Sequence, residues 1–245
     1  MGIINIERVK IGDKISIDPN AVVGYFQFGN WSGSEEIPKT IIGNECIIEP
    51  FVVVYAGAEI GDRAKLFSGS NVYSWVKIGS EFFLGNGASV REHVSIGNHV
   101  KIGTNSVILP HVKLEDRVSI HSLAMIGEHV QIREGAWIGP GVMIYNTIHP
   151  KAYRCPEKER CDVEGAPVIG RHVRIGGGSI INPFVTIGDY AVVASGSVVT
   201  TDVPENAVVV GSPARIIKKG DLVICRYDDN NGVYSIEELK ARLEQ

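Results

Sequence analysis

The chain has 245 residues, 44% of them hydrophobic and 21% charged, with a formal net charge of -4. That composition describes a globular protein, and its interspersed charges form no basic stripe of the kind nucleic acid requires. No apolar run reaches the ~20 residues of a membrane-spanning helix, and the opening M-G-I-I-N-I-E-R reads neither as a signal peptide nor as a myristoylation site.

The first regular feature is a set of aliphatic residues six apart, Ile11, Ile17 and Val23, with Ile15 and Ala21 four residues after the first two. Gly24 to Thr40 (G-Y-F-Q-F-G-N-W-S-G-S-E-E-I-P-K-T) then breaks this frame with aromatics and turn formers. Phe26, Phe28 and Trp31 need burial somewhere, so the segment reads as an excursion. It could be a wall over a ligand, a cover for the open end of a coil, or a contact between subunits.

From Ile42 to Ile144 every sixth residue is aliphatic for eighteen consecutive stops, through Ile48, Val54, Ile60 and onward without an insertion. Four residues after each stop comes a second, mostly small apolar set that includes Cys46, Val52, Ala58, Ala64, Val118 and Val142. A period of six excludes an α-helix, whose buried face recurs at 3.6, and is a multiple of the strand period of two. Gly57, Gly69, Gly87, Asn105, Gly135 and Gly141 fall three after a stop, where a corner with positive φ is cheap. Short strands and sharp corners therefore wind a three-sided prism, a parallel β-helix, with aliphatic columns stacked at about 4.8 Å. At about 1.5–3 kcal/mol per buried aliphatic, the columns contribute tens of kcal/mol against chain entropy. At three hexads per coil, this run makes six coils.

A second break spans Tyr145 to Val168. The frame resumes with Ile169, Ile175, Ile181, Ile187, Val193 and Val199, whose inward partners are Val173, Ser179, Val185, Ala191, Ser197 and Val203. That adds two coils, for about nine in all. Residues 1–219 thus read as one coil domain, with 208–217 leading off the prism, and 220–245 as a tail. Within the tail, 220–227 could form a strand, Asp228 to Gly232 a turn, and Ser235-Ile-Glu-Glu238 a capping box that opens a short C-terminal helix. The helix would plug the last apolar layer or meet another subunit.

Four cysteines (Cys46, Cys155, Cys161 and Cys225) fit a reducing cytoplasm. Cys155 and Cys161 form a C-x5-C pair, open to metal binding, a loop disulfide or plain thiols. His93, His99, His111, His129 and His172 all fall in the corner slot and read as surface residues with turn geometry, while His121 directly follows a stop. His149 alone lies outside the frame, where the coil opens into the second break.

The segment I-Y-N-T-I-H-P (Ile144 to Pro150) resembles the catalytic segment of the maltose and galactoside O-acetyltransferases, within the hexapeptide-repeat acyltransferase superfamily. The resemblance continues through V-I-G-R-H-V-R-I-G-G-G-S-I-I-N-P and closes on G-S-P-A-R-I-I-K-K, covering roughly residues 145–219. The long run of earlier coils is similar to nucleotide-sugar acetyltransferases. The resemblance implies a left-handed β-helix, acetyl-CoA as acyl donor, a sugar or nucleotide-sugar acceptor, and a homotrimer with active sites between neighbouring prisms. By the same resemblance His149 is the general base, a role that a neutral imidazole with a pKa near ~6.5 suits. Asn146 orients the base or the acceptor, or is simply a turn residue. Gly176, Gly177, Ser179, Ala194 and Ser195 would lie along the pantetheine arm, and Pro213 and Ala214 near the adenine. Arg215, Lys218 and Lys219 would meet the phosphates, or form a solvated basic tail.

Arg174 stands where the O-acetyltransferases usually carry Trp, a departure that alters the donor's surroundings. The Cys155/Cys161 loop is a second departure and leaves the acceptor open, as well as whether oxygen or nitrogen is acetylated. Two other readings compete. One resembles the γ-class carbonic anhydrases, with His93 and His129 two coils apart, although Glu134 stands where a third histidine is expected. The other is a non-catalytic β-helix scaffold, for which His149 would be dispensable.

Overall fold

The computed structural model describes residues 8–26, 38–147, 164–219, 222–224 and 233–235. Within the long run each aliphatic stop is buried and nearly all end a short strand, while the residue before faces outward, as in Lys65–Leu66 and Lys101–Ile102. Strands pair in parallel with the residue eighteen positions on: Ile60 with Ile78, Ile78 with Ile96, and Ile96 with Leu114. Three strands therefore complete one coil, and the aliphatic columns lie in exact register inside it. Parallel strands ordinarily need a helical crossover. Here the coil itself carries the chain back to the next pairing.

The strands form three faces. The first runs from Val9–Ile11 and Thr40–Ile42 to Thr186–Ile187, in nine strands. The second runs from Ser16–Ile17 through Val192–Val193 to Ala207–Gly211 and Ala214–Lys219, in eleven. The third runs from Val22–Tyr25 to Val198–Val199, in nine. The interior is one continuous apolar cluster from Ala21 to Ala214. Among the described residues no helix is long and apolar enough to cross a membrane.

The corner slot demands left-handed backbone from side chains of every kind, including Arg63 (φ 56°), Trp75 (58°), His93 (59°) and Leu123 (62°). Each such residue costs roughly 1–2 kcal/mol. The corner amides offset this by donating to the rung before, as Arg63 N does to Asn44 O at 2.7 Å and His99 N to Ser80 O at 2.9 Å. All five corner histidines adopt positive φ, from 53° to 61°.

Both excursions leave from the same corner, between the third face and the first. Their bounds are narrower than the sequence implies. The strand Val22–Tyr25 continues through Gly24, which has φ 74° beside a register shift, and Thr40 already begins the next strand. Tyr145 N still donates to Ile181 O at 3.0 Å, and Val168 already pairs with Thr186. Between the two excursions that corner carries a stack of rings: Trp75 on His93 at 5.0 Å, His93 on His111 at 5.0 Å, and His111 on His129 at 4.8 Å, all within a few degrees of parallel.

The C-terminal part corrects the expectation that residues 208–217 lead off the prism. Ala207–Gly211 is the next strand of the second face, paired in parallel with Val192–Val193, and Ala214–Lys219 folds back on it antiparallel. The hairpin covers the last apolar layer, with Ala207 and Val209 buried. Leu222–Ile224 pairs with Val233–Ser235, so Ser235 ends a strand. The turn at Asp228 to Gly232 and the helix expected after Ser235 lie outside the described residues, as do Phe28, Trp31, Cys155, Cys161 and Cys225.

Candidate functional site

On the second face the outward slot before each stop forms a column. Register aligns Ser119 with Trp137, Trp137 with Arg174, Arg174 with Val192, Val192 with Val208, and Val208 with Lys218. The slot after each stop holds Gly139, Gly176 and Ala194 on the same rungs, so the wall beside that column is low. The result is a groove of about 550 Å³, lined among others by Arg117, Trp137, Arg174, Gly176, Ala194 and Ser195. That volume is in the range of small-molecule sites.

Of the residues assigned by resemblance to the pantetheine arm, Gly176, Ala194 and Ser195 line this groove together. Gly176 has no room for a side chain, because a Cβ there would collide with the backbone nitrogen of Ser195. A Cβ at Gly177 would press on Pro140, which stands at the same corner one rung earlier. Ser179 does not face the groove. It is fully buried, and its hydroxyl donates inward to Gly176 O at 2.7 Å and also contacts Ala194 O at 3.1 Å. It ties together the two carbonyls behind the groove wall and cannot reach a ligand.

The hairpin residues sit one and two strands further along the same face. The Ser212–Pro213 peptide is cis, Ala214 is buried, and Arg215 donates from Nη1 to Ala214 O at 3.0 Å. Ala214 and Arg215 line a separate, smaller cleft of about 250 Å³ with Thr201 and Asp202. Lys218 and Lys219 lie in the last strand, opposite Val208 and Ala207. Asn146 is buried, with Oδ1 turned back over the rung at Gly127. His149 lies outside the described residues; Thr147, two residues before it, is the last described residue of the coil on that side.

The groove also contains residues that the sequence did not assign to it, among them Arg117, Ser119, Trp137 and His172. The signal for Trp137 was present, since it occupies the same outward slot as Arg174 one rung earlier. Its ring lies 4.8 Å from that of His121. Arg117 is ion-paired to Glu134. His172 stacks on Tyr190 at 5.1 Å.

The metal-ligand arrangement suggested by His93 and His129 is not built within the chain. The His111 ring lies between them, parallel to both. Among the described residues no three His, Cys, Asp or Glu side chains converge on one point.

The family model described as bacterial transferase hexapeptide (six repeats) matches residues 39–74, 76–110, 93–128 and 166–201, just over half of the chain. The chain belongs to this hexapeptide family. Galactoside O-acetyltransferase of Escherichia coli is 53% identical over 38 residues, 16% of this chain and 19% of that protein. The 2,3,4,5-tetrahydropyridine-2,6-dicarboxylate N-acetyltransferase of Clostridium botulinum is 70% identical over 30 residues, 12% of this chain and 13% of that protein. These matches span far less than two thirds of either relative. The solved structure of UDP-N-acetylglucosamine acyltransferase from Campylobacter jejuni superposes with a TM-score of 0.55 at 18% identity, covering 83% of this chain and 75% of that one. At that identity it speaks to the shared coil alone.

Proposed function

We propose that the protein is a coenzyme-A-dependent acetyltransferase that acts on a hydroxyl or amine of a sugar or nucleotide sugar. The observation that carries this reading is the groove itself: Gly176, Ala194 and Ser195 form a track without long side chains, and the hairpin bearing Arg215 extends the same face. A slender arm with amides fits a track that exposes backbone, and a phosphate-bearing end fits the cations of the hairpin. The relatives matched over short stretches are named acetyltransferases of a galactoside and of a dicarboxylate, which supports the reaction class and leaves the acceptor open.

In this reading His149 takes the proton of the attacking hydroxyl or amine, and Asn146, three residues before it, orients the base or the acceptor. Activity should then fall as pH drops below the imidazole's range, because the protonated ring cannot accept. Assembly into a homotrimer would bring a neighbour's rungs to each groove. The third face supports such a contact. From Val107 onward its outward slots hold Val107, Leu109, Met125, Met143, Ile180 and Val198, although Asn71, Ser89 and Arg91 occupy them in earlier rungs, and the other two faces present Lys65, Lys77, Lys101 and Lys113 beside Ile41, Ile47 and Phe83.

Calorimetry with acetyl-CoA, followed by thiol release with amino- and hydroxy-sugar nucleotides, tests the proposal. His149→Ala should lower the rate by about 100- to 10,000-fold while leaving acetyl-CoA binding intact. A protein that binds no acetyl-CoA would be a scaffold instead.

A further inference from the structure

We propose that Arg174 is a catalytic residue of the transfer, donating hydrogen bonds to the thioester oxygen as it becomes negatively charged. The inference rests on the acyltransferase reading and gives a role to the position where the resemblance to the O-acetyltransferases fails. Three observations carry it.

The first is the column on the second face. Arg174, Val192, Val208 and Lys218 are in register on successive strands. Three strand spacings separate the ends, about 14 Å. With the donor's phosphates at the hairpin, the arm runs back over two valines and Ala194. Its reactive end then arrives at Arg174.

The second is charge. The other guanidinium in the groove, that of Arg117, is bound to Glu134, and elsewhere Arg63 is bound to Glu81 and Arg91 to Glu92. Arg174 is exposed on the groove wall and has no carboxylate partner among the described residues. Its planar fork of donors is therefore available to a ligand.

The third is Trp137. Its indole occupies the neighbouring outward slot, one rung earlier, and lines the same groove as Arg174. A thioester seated between indole and guanidinium would displace water from both, and a hydrogen bond to a developing charge is stronger once water is gone.

The acceptor's oxygen or nitrogen forms a bond to the thioester carbon while its proton passes to the base. The carbonyl π pair moves onto oxygen, and that oxyanion accepts from Arg174. Collapse restores the carbonyl and breaks the carbon–sulfur bond. The thiolate leaves and takes the proton back from the base.

Kinetics of Arg174→Gln, Arg174→Lys and Arg174→Ala in the full chain test the role. Thiol release from acetyl-CoA would be followed with UDP-glucosamine, with UDP-glucose, and with water as the acceptor. Arg174→Gln should lower kcat by about 100- to 1,000-fold, with acetyl-CoA affinity by calorimetry within about twofold of the unaltered protein. Arg174→Lys should recover part of that loss, and millimolar guanidinium should partly rescue Arg174→Ala. Unchanged turnover with weakened acetyl-CoA binding would make Arg174 a donor-binding residue only and overturn the proposal. So would a kcat loss that neither lysine nor guanidinium relieves. Failure of the unaltered protein to bind acetyl-CoA would instead remove the acyltransferase reading and this role with it.

Discussion

The rungs between Ile42 and Ile144 and those after Val168 have the same interior. Ile126 and Ile175 are both completely buried in the same kind of column, on strands paired the same way. The difference lies outside. Along the second face the outward slot carries Lys65, Phe83 and Lys101 in the earlier rungs, then Trp137, Arg174, Val192 and Val208 in the later ones. The slot after the stop is already small in the middle rungs, at Gly85 and Gly103, as it is at Gly176 and Ala194, so the outward slot before the stop is what sets the later rungs apart. A repeat that must keep its inside constant can still acquire a site by changing outward side chains on a few neighbouring rungs.

The largest test of this comparison is a cavity in each region. Ile126→Ala and Ile175→Ala should each cost about 2–5 kcal/mol in denaturant unfolding. Only Ile175→Ala should also weaken acetyl-CoA binding, because its neighbours Arg174 and Gly176 line the groove. Equal loss of binding from Ile126→Ala would erase the distinction. Next come two corner glycines with nearly the same backbone, Gly135 (φ 67°) and Gly178 (φ 68°). A Cβ at Gly135 would collide with the His172 ring, whereas none of the protein lies within 4 Å of one at Gly178. Gly178→Ala should therefore cost only the left-handed penalty, about 1–2 kcal/mol, and Gly135→Ala should lower the thermal midpoint further.

Ser179→Ala should cost about 1 kcal/mol, since the hydroxyl joins two carbonyls behind the groove, and calorimetry should show looser acetyl-CoA binding. The smallest effect belongs to the exposed ladder of Arg63, Glu81 and His99 at the corner between the first and second faces. A hydrogen bond from Arg63, with His99 Nδ1 at 2.9 Å on the other carboxyl oxygen, holds the Glu81 carboxyl below its ordinary 4.5. A depressed folded value stabilises above the ordinary carboxylate range and is lost as pH falls through the folded value. Glu81→Gln should therefore lower the thermal midpoint slightly near neutral pH, and the gap should close in acid.

Much of this was legible in the chain. Ile42, Ile48 and Val54 announce three faces because a coil of eighteen residues projects its interior onto the sequence at intervals of six. The histidines three after a stop were legible as corner residues for the same reason, and their φ values follow. Ser179 shows where two kinds of reading diverge. The frame places it among the inward residues, while the resemblance placed it along the donor arm; burial decides for the frame. The excursion bounds were misplaced because Tyr145 and Val168 look like loop in a one-dimensional pattern, yet still make rung hydrogen bonds.

Taken alone, the sequence determined the number of rungs, the residues that fill them and the slots that must turn left-handed. Each of these follows from strand parity and the size of a closed coil, which are local properties of the chain. Tertiary structure alone decided that Trp137 stands beside Arg174 across an excursion, that the hairpin continues the second face, and that His111 separates His93 from His129. Those neighbours are set by register between strands, and register depends on how the chain closes after each interruption.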